Sequence, residues 1–337
     1  MKYYLAPMEG ITGYVFRQAL QECFKMPDKC ITPFIAPNQN SSLKNREKRE
    51  VLPEHNRGMH VVPQILTNKA DVFVKTTREL KEMGYNEVNL NLGCPSGTVV
   101  AKKRGSGLLA DLKELDAFLE GIFEKTELPV SIKTRLGMAE PEEFYEILEI
   151  YNKYPLSELI IHPRVQKEFY KNSPHMDIFR EAMRTSRHEI CYNGDLFTAE
   201  DVRAFQKECP QVERIMIGRG LVVNPGLLNL LESGNVSGSA ACANGNCMTA
   251  TTHGQVTKEK IRAFHDKIFA AYGQELYGDK NLLYKMKEVW FYMIRLFPDS
   301  EKEAKKIRKA QHLSEYLEVV DKLFAEKELE FVDKLYF

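Results

Sequence analysis

Residues 86–112 read NEVNLNLGCPSGTVVAKKRGSGLLADL, a strand, a loaded turn and a helix in immediate succession. Val88, Leu90 and Leu92 alternate with polar residues, which is the period-two pattern of a strand. Gly93-Cys94-Pro95 ends it, a polar loop carries Lys102, Lys103 and Arg104, and Gly105-Ser106-Gly107 opens a helix. A strand handing over to a helix is the repeating unit of a parallel sheet. A cysteine between Gly and Pro at the strand's C-terminal end stands at a strand mouth, where a reactive thiol is expected. A buried cysteine acting as a small hydrophobe is the alternative.

The same rhythm recurs outward in both directions. Strands are expected at 3–6, 30–35, 60–66, 87–92, 130–134, 158–162, 189–192 and 214–217, each followed by a helical pattern. Eight such units in roughly 230 residues fit an α/β fold of the (β/α)8 TIM-barrel type, with a doubly wound open sheet as the alternative. Barrel active sites lie where the strands end, so the residues after each strand are the ones to inspect.

After the first strand, Pro7-Met8-Glu9-Gly10 makes a tight turn that could meet a flat ligand, with Thr12 as a possible helix cap. Gln64 puts an amide in an apolar strand, so it needs either a ligand or a core hydrogen-bond partner. Lys133 follows Ile132 near the rim; its ammonium suits the electron-rich edge of a flavin or a neighbouring carboxylate. His162 and Arg164 flank Pro163 at the next strand end. Asn193-Gly194-Asp195 and Gly218-Arg219-Gly220 end consecutive strands, a pattern that suits a phosphate. No G-x-G-x-x-G occurs, which favours FMN over a dinucleotide.

Asn91-Leu92-Gly93-Cys94-Pro95-Ser96 followed by Gly105-Ser106-Gly107-Leu108-Leu109 resembles the signature of the tRNA-dihydrouridine synthases. That resemblance implies an FMN-dependent oxidoreductase that takes electrons from NADPH and reduces uridines in tRNA to 5,6-dihydrouridine. It implies flavin contacts from Pro7, Met8, Glu9, Gln64, Lys133, His162, Asn193, Gly194, Asp195, Gly218 and Arg219. Cys94 would donate the proton that accompanies the flavin's hydride, and its ordinary pKa of about 8.5 keeps the thiol protonated at neutral pH. Asn91, Lys102, Lys103, Arg104, Arg135 and Arg164 would face the RNA. The family more often has Gly where this chain has Pro163.

The whole chain is compatible with this and sets limits on it. Its 337 residues, 43% hydrophobic, suit one large domain with an appendage. Formal net charge is +0, so nucleic-acid binding must come from local patches rather than a global field. Seven cysteines without framework spacing read as reduced thiols in a cytoplasmic protein, and no run at the N-terminus reads as a signal peptide. Residues 233–255 are poor in apolar content and read as a linker; Cys242, Cys247 and His253 have poor zinc spacing, so no metal is expected. From 256 onward apolar residues recur at helical spacing, and Lys302, Lys305, Lys306 and Lys309 share a helix face. The expected layout is an FMN-binding barrel at 1–232, a linker at 233–256 and a helical tRNA-binding domain at 257–337, acting as a monomer. A flavin barrel reducing a small molecule, or a non-catalytic RNA-binding protein, are the rival readings.

Overall fold

Nine parallel strands form one sheet: β1 (Lys2–Leu5), β2 (Lys29–Ile31), β3 (Val61–Val62), β4 (Gln64–Ile65), β5 (Val88–Leu92), β6 (Val130–Arg135), β7 (Glu158–His162), β8 (Ile190–Tyr192) and β9 (Arg214–Ile217). The computed structural model describes residues 1–37, 43–233 and 256–331. The strand order is β3-β2-β1-β9-β8-β7-β6-β5-β4. Its two ends, β3 and β4, are halves of one strand broken at Pro63, which has no N–H to give a ladder. β3 pairs with β2 and β4 pairs with β5, so the sheet returns on itself as a TIM barrel of eight staves.

Strand alternation decides what faces where. The partners Gln64↔Asn89, Asn89↔Ser131 and Asn91↔Lys133 put polar side chains on one face of β4, β5 and β6. Val88, Leu90 and Leu92 point the other way and are fully buried. Burying each is worth about 1.5–3 kcal/mol, which holds the register of the strand that carries Cys94. Tyr4, Ala6, Ile31, Val62, Ile160, Cys191 and Met216 pack as an apolar cluster.

At the N-terminal ends of the strands the barrel is closed by charge. Lys29 bonds both Glu87 (3.0 Å) and Glu158 (3.3 Å). Tyr4 donates to Glu158 at 2.8 Å, and Arg214 reaches Glu158 and Glu189. Lys29, Glu158 and Arg214 each have an opposite charge beside them, which is what makes their burial tolerable.

The chain folds as two compact units. The first, Met1–Tyr14, Asp28–Asp195 and Cys209–Ile217, holds the sheet. The second, Val15–Pro27, Leu196–Glu208 and Gly218–Phe337, is helical and includes Lys258–Glu275, Asp279–Met293, Glu301–Lys309 and Leu313–Glu326. In it, Tyr316 accepts a hydrogen bond from Trp290 (2.7 Å) and meets His265 (2.5 Å) inside an aromatic core. Residues 234–255, with Cys242, Cys247 and His253, lie outside the described residues; among those described, no cluster of three metal-ligating side chains occurs. No helix among the described residues is long and apolar enough to cross a membrane.

Candidate active site

A relay of side-chain hydrogen bonds leads to the Cys94 turn. The backbone N–H groups of Gly93 (3.1 Å) and Cys94 (2.9 Å) both donate to Asn91 Oδ1. Backbone N–H can only donate, so the orientation of every amide behind it follows. Asn91 Nδ2 donates to Gln64 Oε1 (2.7 Å), Gln64 Nε2 to Asn89 Oδ1 (2.8 Å), and Asn89 Nδ2 to Ser131 Oγ (2.9 Å). Gln64 thus finds its partners in β5, within the core. Asn91 keeps a second amide N–H with no partner among the described residues.

The loop after Cys94 folds back onto it. Ser106 donates through its N–H (3.2 Å) and its hydroxyl (2.8 Å) to the Cys94 carbonyl. Gly105 has φ +55°, and a Cβ there would lie 2.9 Å from that same carbonyl, so only glycine fits. The helix expected to open at Gly105 is instead a 3-10 turn, Gly105–Ala110; the α-helix Leu112–Phe123 starts later, with Asp111 accepting from the N–H groups of Lys113 and Glu114. Gln166 adds a further tie by donating to the Pro95 carbonyl at 3.0 Å.

The electrostatics of this mouth are unbalanced. Lys133 projects half-buried from β6, and no carboxylate pairs with it among the described residues. Burial, then the neighbouring Arg135, pulls its ammonium down to about 8. Burial pushes the Cys94 thiol above its ordinary value, although the Ser96 backbone, Arg135 and Lys133 pull the other way. The thiol therefore holds its proton at neutral pH.

Two arginines expected to face RNA are turned inward. Arg135 is buried and donates to the carbonyls of Gly93 (3.1 Å), Val165 (2.9 Å) and Phe169. Arg164 is buried as well, bonding Asp195, the carbonyls of Lys171 and Asn172, and His162 Nε2 at 3.0 Å. An arginine N–H only donates, so Nε2 of His162 accepts and a neutral ring carries its proton on Nδ1. Asp195 is thereby engaged by Arg164, and Asn193 donates to the Met216 carbonyl at 2.8 Å.

The remaining residues lie around this centre or apart from it. Thr12 ties the turn ahead of the first helix: its hydroxyl accepts from Met8 N–H (2.8 Å) and donates to the Ala6 carbonyl (3.0 Å), fixing the bend that holds Pro7. Glu9 pairs with Arg46. Lys102 and Lys103 are exposed, with Lys103 paired to Glu114 at 2.7 Å. Arg104 is half-buried, and its Nε has no hydrogen-bond partner among the described residues. Gly218 and Arg219 fall in the second unit, where Arg219 lies 4.6 Å from the Phe197 ring centroid. The sequence reading missed Asn89, Ser106 and Gln166. Asn89 is legible as the first amide of the N-L-N-L alternation; the other two act across turns that no local pattern announces.

Comparison with known proteins bears on the family of this chain. Residues 4–313 match the family model described as dihydrouridine synthase (Dus). A "Probable tRNA-dihydrouridine synthase" of Staphylococcus aureus (strain COL) is 32% identical over 231 residues, 66% of this chain and 69% of that one. "Probable tRNA-dihydrouridine synthase 2" of Bacillus subtilis (strain 168) is 31% identical over 237 residues, 66% of this chain and 70% of that one. Among solved structures, morphinone reductase aligns with a TM-score of 0.48 at 14% identity, over 69% of this chain and 86% of that one. On the match of its family model across nearly all its length, this chain belongs to the dihydrouridine synthase family.

Proposed function

We propose that the chain is a tRNA-dihydrouridine synthase that uses FMN, reduced by NADPH, to saturate the carbon 5–carbon 6 bond of uridine in tRNA. The observation that carries this reading is Lys133, a half-buried cation at the barrel mouth with no carboxylate paired to it among the described residues. An unpaired ammonium in such a place is costly unless a ligand supplies negative charge. The bound flavin would supply the hydride transfer that protein side chains cannot. Lys133 would hold the electron-rich edge of the flavin ring, with Pro7, Met8, Glu9, Gln64, His162, Asn193, Gly194 and Asp195 proposed around it. Gly218 and Arg219 are proposed for its phosphate on sequence grounds.

Cys94 would hold a proton beside the target base and deliver it to carbon five, a role that suits a thiol with a raised pKa. Asn91, with one amide N–H to spare, would hold the uracil after the base has left its stack. Lys102, Lys103 and Arg104 would meet phosphates nearby. Arg135 and Arg164 would act on RNA by shaping the 165–172 loop they bind. We propose the division into a catalytic barrel (1–232), a linker (233–256) and a tRNA-binding helical domain (257–337).

The test is direct. Purified protein should be yellow, release FMN on denaturation, and with NADPH convert uridine to dihydrouridine in an unmodified tRNA transcript. Reduction of free uridine or a small enone, with tRNA left untouched, would point to a small-molecule reductase instead.

A further inference from the structure

The helix Asp279–Met293 shows two faces that are both rich in large side chains. One face is core: Leu282, Leu283, Met286, Val289, Trp290 and Met293 are buried. The other carries Tyr284, 54% exposed, and Phe291, 60% exposed. Their spacing of seven puts them on the same side of the helix, two turns apart. Cations sit over both rings: Lys280 at 5.9 Å and Lys287 at 5.7 Å from the Tyr284 centroid, and Arg295 at 5.1 Å from that of Phe291.

This stripe joins a second basic feature. Lys287 donates to the carbonyl of Ala310 at 2.5 Å, and Ala310 lines a groove with Lys302, Lys305, Lys306 and Lys309. Those four lysines reach the surface, and no carboxylate pairs with any of them among the described residues. Glu315 and Glu318 also line the groove, but Glu315 already accepts from the Gln311 N–H at 2.8 Å.

Aromatic rings interleaved with cations, next to a lysine groove, have the composition of a surface for unpaired nucleic acid: bases stack on the rings and phosphates meet the ammoniums. A protein partner fits less well, since lysine is depleted from the cores of protein interfaces. We infer that this face binds an unpaired segment of the RNA substrate, with a base stacked on Tyr284 and its phosphates in the Lys302–Lys309 groove. The inference rests on tRNA being the substrate, and adds that part of the recognition is base stacking on the helical unit.

The experiment measures binding of an unmodified tRNA transcript and of a blunt RNA duplex across a salt series, using the full chain. Tyr284→Ala should weaken tRNA binding roughly 5- to 150-fold, the range for loss of one stacked base. The salt slope and the duplex affinity should stay unchanged, and Tyr284→Phe should restore the affinity. Lys305→Ala with Lys309→Ala should instead flatten the salt slope. Wild-type tRNA affinity in Tyr284→Ala overturns the inference and leaves the face to a protein partner or to solvent, while the tRNA reading stands. A wild-type chain that binds neither RNA overturns both.

Discussion

Two strand lysines, Lys29 and Lys133, sit at opposite ends of one barrel with opposite electrostatics. Lys29 enters β2 at the floor, where Glu87 and Glu158 meet it at 3.0 and 3.3 Å. Burial pulls its pKa down, but the two carboxylates more than reverse that and hold it above the ordinary value. Lys133 leaves β6 at the mouth with Arg135 as neighbour and, among the described residues, no carboxylate paired with it, and is pulled down to about 8. In the fold both are cations in strands whose other residues are buried. What separates them is what offsets the desolvation cost: two carboxylates of the fold at the floor, and at the mouth, on the reading proposed above, the cofactor.

The sharpest break of that comparison concerns the thiol that shares the mouth with Lys133. Cys94→Ala should slow uridine reduction by about 10²–10⁴-fold, the usual loss for a positioned general acid. Flavin reduction by NADPH should be nearly untouched, because the role proposed for the thiol is on the base alone. Rapid-mixing measurement of each half-reaction checks this, and equal loss in both would make Cys94 a cofactor-site or structural residue.

At the floor the effect should be on stability. Lys29→Met leaves Glu87 and Glu158 without their shared cation, and removing one partner of a buried pair costs about 3–5 kcal/mol. Arg214 and Tyr4 still reach Glu158, which favours the low end. The denaturant midpoint should fall, with flavin affinity per folded molecule unchanged.

A pH series sharpens the same contrast. Lys133 ionises below the ordinary 10.5, so its cation is lost as pH rises through about 8, and flavin affinity should weaken by up to about tenfold per unit above that point. The folded state then binds fewer protons than the unfolded one, so this residue's contribution raises stability between pH 8 and 10.5. Lys29 has the reverse sign: its contribution is present below 10.5 and is lost as pH rises through its higher folded value. Melting curves of wild type, Lys29→Met and Lys133→Met over that window resolve the two signs.

How far these ends were legible from residues alone differs element by element. The strands announce themselves because a buried parallel stave must be apolar, and all eight staves overlap the ranges expected from the sequence, although the second ends at Ile31 and not at 35. The N-L-N-L-G-C-P run is as legible, since alternation sends its amides to one face. The inward turn of Arg135 and Arg164 is not: most of their partners are backbone carbonyls of the 165–172 loop and of Gly93, which carry no sequence signal, and the one carboxylate, Asp195, lies 31 residues from Arg164. The delayed start of the Leu112–Phe123 helix follows from Gly105 at positive φ and the Asp111 cap, details that a glycine-rich opening conceals. The acid pairing of Lys29 and its absence at Lys133 also lie beyond pattern reading, because Glu87 and Glu158 come from two other strand starts.

The most direct measurement is therefore an FMN titration of the apo-protein as wild type, Lys133→Met and Lys29→Met, each alongside a thermal melt. Expected is flavin binding weakened about 10- to 150-fold in Lys133→Met, as for loss of charge-assisted hydrogen bonds, with a melting temperature equal to or above wild type. Lys29→Met should melt earlier and bind FMN as wild type does. Undiminished FMN binding in Lys133→Met, or its loss in Lys29→Met while the fold stays intact, would contradict the assignment of the unpaired mouth lysine to the cofactor.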